Sequence, residues 1–488
     1  MSDVVKNKLK ITARGIIDDA IEHLEPNCHP HNDILNMLME KVKPVDFHES
    51  AGVGQEAEVP IWKLAVITVD EILNLAKAHQ WGICKNKGFI YLYNGAYWFN
   101  LDEEQLMNFL GEMAHKLGVP LLRSRHFDFR KKLLSQFHGV SNMPAPVVKV
   151  SSTLINLING TLEISPTNTN LRIFDRNDFL TYQLQFSYTP KATAPIFESY
   201  LNLVLPNIEL QQILAEYIGY LFIPNNKLKL EKTILLYGVG ANGKSVFFDI
   251  VNALLGRQNV TTYSLSKLTD QNGYYRAMIG DKLVNYASEI NKNLDPAFFK
   301  QLVSGEPIEA RLPYGQPFIL EKYAKLIFNT NELPRDVEHS NAYFRRFIII
   351  PFNVVIPESE QDKSLAFKII QNELPGVLNW VLLGLKRLTK NRMFTISDIV
   401  TEQIEQYKNE ADSSYLFLQE LGYVPDCESN KLLKEIYSEY KDYCRENNYI
   451  AFSNRNFKKR LVAHGFTAHR SRLGQIIYCI KDPSKTLF

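Results

Sequence analysis

Cysteine is scarce: there are five in 488 residues, Cys28, Cys84, Cys427, Cys444 and Cys479. No two form a Cys-x-x-Cys pair, so neither a zinc ribbon nor a disulfide framework is indicated. The nearest thing to a ligand cluster, Cys28-His29-Pro30-His31, is interrupted by a proline and spaced too tightly for one shared metal, and it reads as a plain loop. Long apolar runs are missing too. The longest, Phe347 to Ile350 and Val381 to Leu383 with their neighbours, fall far short of the roughly 18 residues that a membrane span needs. The N-terminus, MSDVVKNKLK, lacks the apolar stretch of a secretory signal. A cytoplasmic protein without a membrane partner is expected. Internal repeats and low-complexity tracts are absent, and the net charge is only +2.

What is present is a globular composition, 45% hydrophobic and 22% charged. At roughly 150 residues per domain, the chain should hold about three domains. Its charge is unevenly spread. From Lys431 to the end there are 12 Lys or Arg against 5 Asp or Glu, a local surplus of +7 that leaves −5 for the rest. Such a concentration is the electrostatic footprint of a nucleic-acid partner. A second basic stretch, Arg123 to Arg125 with Arg130 to Lys132, reads as an exposed helix face.

Residues 1–75 read as helices and loops without chemical motifs. Trp81 to Phe99 alternates aromatic and polar residues around Asn94-Gly95, a β-hairpin signature. Glu103 to Leu117 has helical spacing, and Asn159-Gly160 suggests a second turn, so residues 76–194 form an α+β domain. Two amphipathic helices follow between Pro195 and Phe222. Short apolar runs then alternate with helices to about Pro351, which predicts a parallel sheet in a domain over 195–392. Residues 393–430 read as linker helices with a linker near Gly422 to Asn430, and 431–488 as a compact last domain.

Thr233 to Tyr237 is a short buried-strand pattern. It runs straight into Gly238-Val239-Gly240-Ala241-Asn242-Gly243-Lys244-Ser245 and then into a helix beginning at Val246. The string GxxxxGK followed by Ser or Thr, in strand–loop–helix context, is a phosphate-binding loop. Glycines let backbone N–H groups turn toward phosphate oxygens, and the helix N-terminus adds unpaired amides and its positive dipole end. Lys244 supplies charge to the β- and γ-phosphates, and Ser245 a hydroxyl to Mg²⁺. Binding of ATP with Mg²⁺ is expected.

Hydrolysis needs further groups around the attacking water. Lys282 to Glu289 (KLVNYASE) is a strand ending in an acid, 45 residues after Lys244, at the strand end where open α/β sheets place ligands. Glu289 is therefore the catalytic carboxylate candidate and, with Ser245, the candidate for Mg²⁺. Another strand pattern, Lys325 to Asn331, ends 42 residues further on in Asn331, which can orient water or touch the γ-phosphate. Fourteen residues later Arg345-Arg346 precede a buried strand. A paired arginine there suits a finger that reaches a neighbouring subunit's nucleotide, which would make the active form an oligomer.

In the basic C-terminal segment, Leu432 to Asn447 reads as one helix and Ser453 to His464 as a second, with Ser453 its N-cap. The second helix exposes Arg455, Asn456, Lys458 and Lys459, while Phe457, Leu461 and Val462 can face a core. Phe466 to Ile480 suggests a two-stranded wing bearing Arg470 and Arg472. A helix in a major groove with a basic wing on the backbone is winged-helix geometry. A solvated basic face used for protein contacts is the alternative.

The ordered strings GVGANGKS, LVNYASE, KQLVSGEPIEARLPYG, KLIFNTNELP, YFRRFIIIPF and ELPGVLNWVLLGL resemble superfamily 3 helicases, in particular the phage and plasmid primase–helicase family related to poxvirus replicative helicases. LINGTLEI, FSYTPKA and LAEYIGYLF look like the associated N-terminal domain. The likeness runs from about Trp81 to the C-terminus. It implies an α/β fold: an AAA+ P-loop ATPase core with an α+β N-terminal domain and a C-terminal winged-helix domain. It also implies a homo-oligomer, a hexameric ring, and ATP-driven 3′→5′ movement on single-stranded DNA. In the family a pore hairpin that touches DNA lies between the acidic motif and the Asn. Here that segment is 300–320, with Lys300, Arg311, Tyr314 and Lys322 as candidate contacts; a cation can meet phosphate, and Tyr314 offers a stacking face. The tip lacks the Lys or His of some relatives, and Ser288 stands where many ATPases have a second acid.

The expected function is an ATP-dependent DNA helicase acting on single-stranded and forked DNA in the replication of a phage, plasmid or other mobile element. An origin-binding initiator without processive unwinding, acting on origin duplex DNA, is the alternative. A third reading is the helicase part of a primase–helicase system. The N-terminal region has neither a strand ending in a DxD pair nor a cysteine cluster, so any primase or polymerase is expected to be a separate partner.

Overall fold

The computed structural model describes residues 29–143, 152–288, 290, 294–334, 338–472, 474–482 and 484. The chain divides between Pro190 and Lys191 into two compact units.

The first unit mixes helices with two small antiparallel sheets. Helices His31–Lys41, Phe47–Ala51 and Ile61–Ala78 precede strands β1 (Gly82–Asn86), β2 (Phe89–Tyr93) and β3 (Trp98–Leu101). In the β2–β3 hairpin Tyr93 pairs with Trp98, and Asn94 Oδ1 accepts from the amides of Ala96 and Tyr97, both at 3.0 Å. Helix Glu103–Leu117 begins where Asp102 accepts from two first-turn amides and ends at Gly118 in the left-handed region, the stop and start chemistry that its sequence predicts. Helices Leu121–Arg125 and Phe127–Val140 and a second sheet, β4 (Thr153–Leu157), β5 (Gly160–Ile164) and β6 (Thr169–Arg172), complete the unit. Residue 75 marks no break in packing: Ile34, Leu38, Val69 and Ile72 share one core with Leu106, Leu110 and Phe137. Cys28 and Glu289 lie outside the described residues. His31 is taken up by the fold. Its Nε2 lies 3.1 Å from the Tyr97 carbonyl, and burial pushes its pKa down to about 4. Within the basic stretch, Arg123 pairs with Glu58 at 2.5 Å and Arg130 with Asn108 at 2.7 Å.

The second unit is built on a five-stranded parallel sheet of β7 (Thr233–Tyr237), β8 (Val260–Thr261), β9 (Val284–Ala287), β12 (Lys325–Thr330) and β13 (Phe347–Pro351), in the order β13-β7-β12-β9-β8. The near-continuous apolar runs of β7, β12 and β13 suit strands covered on both faces. Because every pair is parallel, all the C-terminal ends share one edge. Helices Pro195–Val204 and Ile208–Tyr220 precede the sheet, and Leu374–Asn391 follows it. The last two pack so closely that a Cβ on Gly384 would lie 2.3 Å from the Ala215 carbonyl carbon. Beside that contact, fully buried Glu216 pairs with Arg387 at 2.5 Å and accepts from the Thr395 amide at 2.7 Å, so its charge is compensated. No helix among the described residues is long and apolar enough to cross a membrane.

Helix Asp398–Glu410 adds Tyr407 to the sheet's core. Helix Ser413–Glu420 belongs to the core that follows, with Phe417 and Leu418 packed among Tyr423, Tyr440 and Phe457. The linker expected near 422–430 is instead strand β14 (Tyr423–Leu432), paired with β16 (Gly474–Lys481), which pairs with β15 (Thr467–Ser471). Helices Leu433–Glu446 and Asn454–Ala463 lie between β14 and β15 in sequence. Val462, expected in the core, is 51% exposed: Phe457 and Leu461, one helical turn apart, fill the inner stripe, and Val462 is rotated about 100° away from Leu461.

Candidate nucleotide-binding site and its surroundings

The loop Gly238–Gly243 joins the end of β7 to helix Lys244–Leu255. Four of its residues have positive φ: Gly238 (159°), Gly240 (107°), Ala241 (49°) and Gly243 (86°). A Cβ on Gly238 would lie 2.4 Å from the Phe352 carbonyl oxygen, so that position admits only glycine. Neighbouring strand ends brace the loop. Gly238 N–H donates to the Thr330 carbonyl at 3.2 Å, Ile356 N–H to Ala241 at 2.8 Å, and Asn242 Nδ2 to the Phe352 carbonyl at 2.9 Å. Tyr200 Oη donates to the Gly243 carbonyl at 2.8 Å. Gly243 occupies the N-cap without a capping side chain, so the first helical amides keep no side-chain partner there.

Lys244 is buried, and its ammonium turns into the loop to donate to the Gly238 carbonyl (2.5 Å) and Asn242 Oδ1 (3.2 Å). Burial lowers its pKa. Those carbonyls occupy donors that phosphate oxygens would take. Val239, Ala241 and Ser245 are exposed along the loop, and Val246 is half-buried. A strained, braced cradle with a buried ammonium fits a nucleoside triphosphate, and the Ser245 hydroxyl at the helix start fits a Mg²⁺ ligand.

Asn331 follows β12 directly and is exposed. Thr330 pairs with Tyr237, so Asn331 emerges beside Gly238 on the same edge. Two residues earlier, buried Asn329 accepts from Tyr286 Oη at 2.9 Å, tying β12 to β9, the strand that leads toward Glu289. Ser288 is exposed.

Arg345 and Arg346 stand at the other edge. Phe347 pairs with Thr233 and Pro351 with Tyr237. At about 3.3 Å per residue, the two arginines lie a full strand length from their own phosphate loop. Arg345 pairs with Glu231 at 3.0 Å with 57% of its side chain in solvent. Arg346 has only 9% in solvent, and it donates to Ser304 Oγ at 2.9 Å and to the Ala342 carbonyl.

The segment between the acidic and Asn motifs does contain a hairpin, β10 (Ile308–Arg311) and β11 (Pro317–Leu320). Its tip projects Tyr314, fully exposed with a left-handed φ of 59°. Arg311 Nε clasps the turn by donating to the Gly315 carbonyl at 2.9 Å. Lys322 is exposed beyond β11, 3.3 Å from Asp281. Lys300 is off the hairpin, on helix Pro296–Ser304, paired with Glu338 at 2.8 Å; that pairing lowers the Glu338 pKa. Sequence reading missed Arg276. Buried beneath the hairpin, it donates to the Glu309 carbonyl at 2.8 Å and lies 4.2 Å from the Phe298 ring centre. It also missed Glu231 and Glu338, whose partners are remote in sequence.

On helix Asn454–Ala463, Arg455, Asn456 and Lys459 are exposed, and Lys458 donates to Gln475 at 2.6 Å. Arg460 faces the protein and pairs with Asp412 at 2.9 Å. Arg470 and Arg472 are exposed on the β15–β16 hairpin. Ser453 accepts from the Asn456 amide at 3.4 Å as N-cap.

Two stretches of the chain match known family models. Residues 70–206 match the family described as D5 N terminal like, and residues 236–346 match a family of unknown function, DUF5906. Among solved structures the chain is similar to the A-form apo structure of the NrS-1 C-terminal region, at 11% identity and a TM-score of 0.47, covering 84% of this chain and 97% of that one. The apo structure of NrS-1 residues 305–718 is similar too, at 12% identity and a TM-score of 0.47, covering 84% and 98%. Neither family match covers half of the chain.

Proposed function

We propose that this chain is an ATP-dependent DNA helicase of the superfamily 3 type, with an AAA+ core, a C-terminal winged-helix domain and a homo-oligomeric, hexameric active form. The observation that carries this reading is the division of labour across the parallel sheet. The braced loop and Asn331 share one edge, and an exposed arginine stands a strand length away at the other. Such an arginine cannot serve its own loop, but it can serve a neighbour's, which makes a ring the natural assembly.

The loop amides and Lys244 hold the triphosphate. Ser245 and Glu289 would hold Mg²⁺, which supplies charge neutralisation between the β- and γ-phosphates. Asn331 orients water or contacts the γ-phosphate, and Arg345 from the adjacent subunit stabilises the charge that develops on it. Tyr314 and Arg311 on the β10–β11 hairpin offer a stacking face and a cation to a single strand. In the C-terminal domain, Arg455, Asn456 and Lys459 with the Arg470 and Arg472 hairpin suit duplex DNA. That exposed basic helix also favours a second reading, an origin-binding initiator that melts DNA without processive unwinding.

Unwinding of a forked duplex with ATP, by wild type and Lys244→Ala, tests the proposal. Wild type should separate the strands, and the variant should not while keeping its melting temperature. Equal unwinding by both proteins refutes the motor reading. Origin-sequence melting that survives Lys244→Ala, without fork unwinding by wild type, selects the initiator.

A further inference from the structure

The sheet edge that carries Arg345 holds a chain of alternating charges. Glu231, two residues before β7, lies 3.0 Å from Arg345 Nη2 and 3.6 Å from Arg346 Nη2 through one carboxylate oxygen. Lys229 Nζ lies 3.6 Å from the other oxygen and 3.1 Å from Glu306. Arg346 is itself anchored to Ser304 at 2.9 Å. Ser304 closes helix Pro296–Ser304 and Glu306 stands two residues before β10, so both mark the root of the β10–β11 hairpin. The Lys232 ammonium completes the edge by donating to the Arg345 carbonyl.

Glu231 holds a left-handed backbone, with φ of 54°. A glycine would hold that conformation without strain, whereas a glutamate is strained there. What the glutamate adds is a carboxylate at the centre of the relay. Magnitude decides how the pair behaves. Arg345 keeps 57% of its side chain in solvent and Glu231 28%, so water screens the pair and holds Arg345 only weakly. Arg346, with 9% of its side chain in solvent, is the enclosed partner of the same carboxylate.

We infer that Glu231 is a positioning residue that holds Arg345 within its own subunit and ties it to the root of the β10–β11 hairpin. Arrival of DNA at the hairpin and engagement of the neighbour's nucleotide by Arg345 are thereby coupled. The inference rests on the reading of Arg345 as a finger acting in trans.

The test compares the full chain with its Glu231→Gln, Glu231→Asp and Arg345→Ala variants. The readouts are ATP affinity, melting temperature, and ATP turnover with and without single-stranded oligo(dT). Glu231→Gln should keep affinity and melting temperature while its DNA stimulation falls by about fivefold or more, the lower range of coupling between sites; Glu231→Asp should restore the stimulation. Wild-type stimulation in Glu231→Gln, with Arg345→Ala inactive, overturns the positioning role alone. Loss of ATP binding or melting temperature in Glu231→Gln makes the glutamate a fold element and also overturns it. Full turnover in Arg345→Ala removes the finger reading and this inference together.

Discussion

Arg345 and Arg346 are consecutive and share the carboxylate of Glu231, yet 57% of one side chain is in solvent and only 9% of the other. The same edge therefore carries one arginine open to solvent and one enclosed. Arg346 Nε is buried without a hydrogen-bond partner, an orientation tolerated because the two Nη atoms are engaged.

The two alanine variants should separate in opposite ways. Arg345→Ala should cut ATP turnover by about 10³-fold while nucleotide affinity and stability stay near wild type. Arg346→Ala strips Ser304 and the Ala342 carbonyl of a charged donor and should cost about 2 kcal/mol of stability. Urea denaturation and steady-state turnover, measured on the same preparations, check both. Undiminished turnover in Arg345→Ala defeats the assignment, as does an unchanged denaturation midpoint in Arg346→Ala.

Much of the architecture was legible because its signals are local. The runs TILLY, KLIFNT and FIII are largely apolar and became three neighbouring strands of the parallel sheet. Asp102 and Gly118 bound helix Glu103–Leu117 by side-chain and backbone chemistry that sequence displays directly. Strand β14 was not legible. Its sequence YVPDCESNKL contains a proline and mostly polar residues, its register slips between Pro425 and Asn430, and only Tyr423 is buried. Its place comes from pairing with β16, a remote partner that no local periodicity announces. The ion pairs Lys300–Glu338 and Arg345–Glu231 join residues 38 and 114 positions apart, so no local pattern pointed to either glutamate. For the site, the loop and Asn331 fall on one edge as their motifs suggest, whereas exposure, which only the fold supplies, separates the two arginines.

Tyr314 offers a cleaner probe of the hairpin than any charged residue nearby. It is fully exposed, and alanine meets the same left-handed backbone, so Tyr314→Ala should leave the melting temperature unchanged. Loss of one base-stacking face is worth about 1–3 kcal/mol, so affinity for a labelled oligo(dT) should fall by about fivefold or more. Fluorescence anisotropy at fixed salt measures it. An unchanged dissociation constant would assign the hairpin to contacts with a neighbouring subunit instead.

Lys325 opens β12, the strand whose far end delivers Asn331. Its Nζ donates to the Ile223 carbonyl at 2.6 Å and sits 4.3 Å from the Tyr220 ring centre, with Tyr323 and Asn225 lining the same small cavity. Burial pushes its pKa down from the ordinary lysine range to about 7. The sign follows from proton counting. Below pH 7 the folded and unfolded chains both carry the proton, and the full cost of the enclosed ammonium is present. Between 7 and the unfolded value the unfolded chain binds more protons, so stability rises with pH, by of order 1 kcal/mol per unit. Wild type should therefore gain stability relative to Lys325→Met as pH is raised from 7 to 9, and the two proteins should run parallel between 5.5 and 6.5. Denaturation midpoints across that range check this, and parallel curves throughout would mean that the ammonium is solvated in the folded chain.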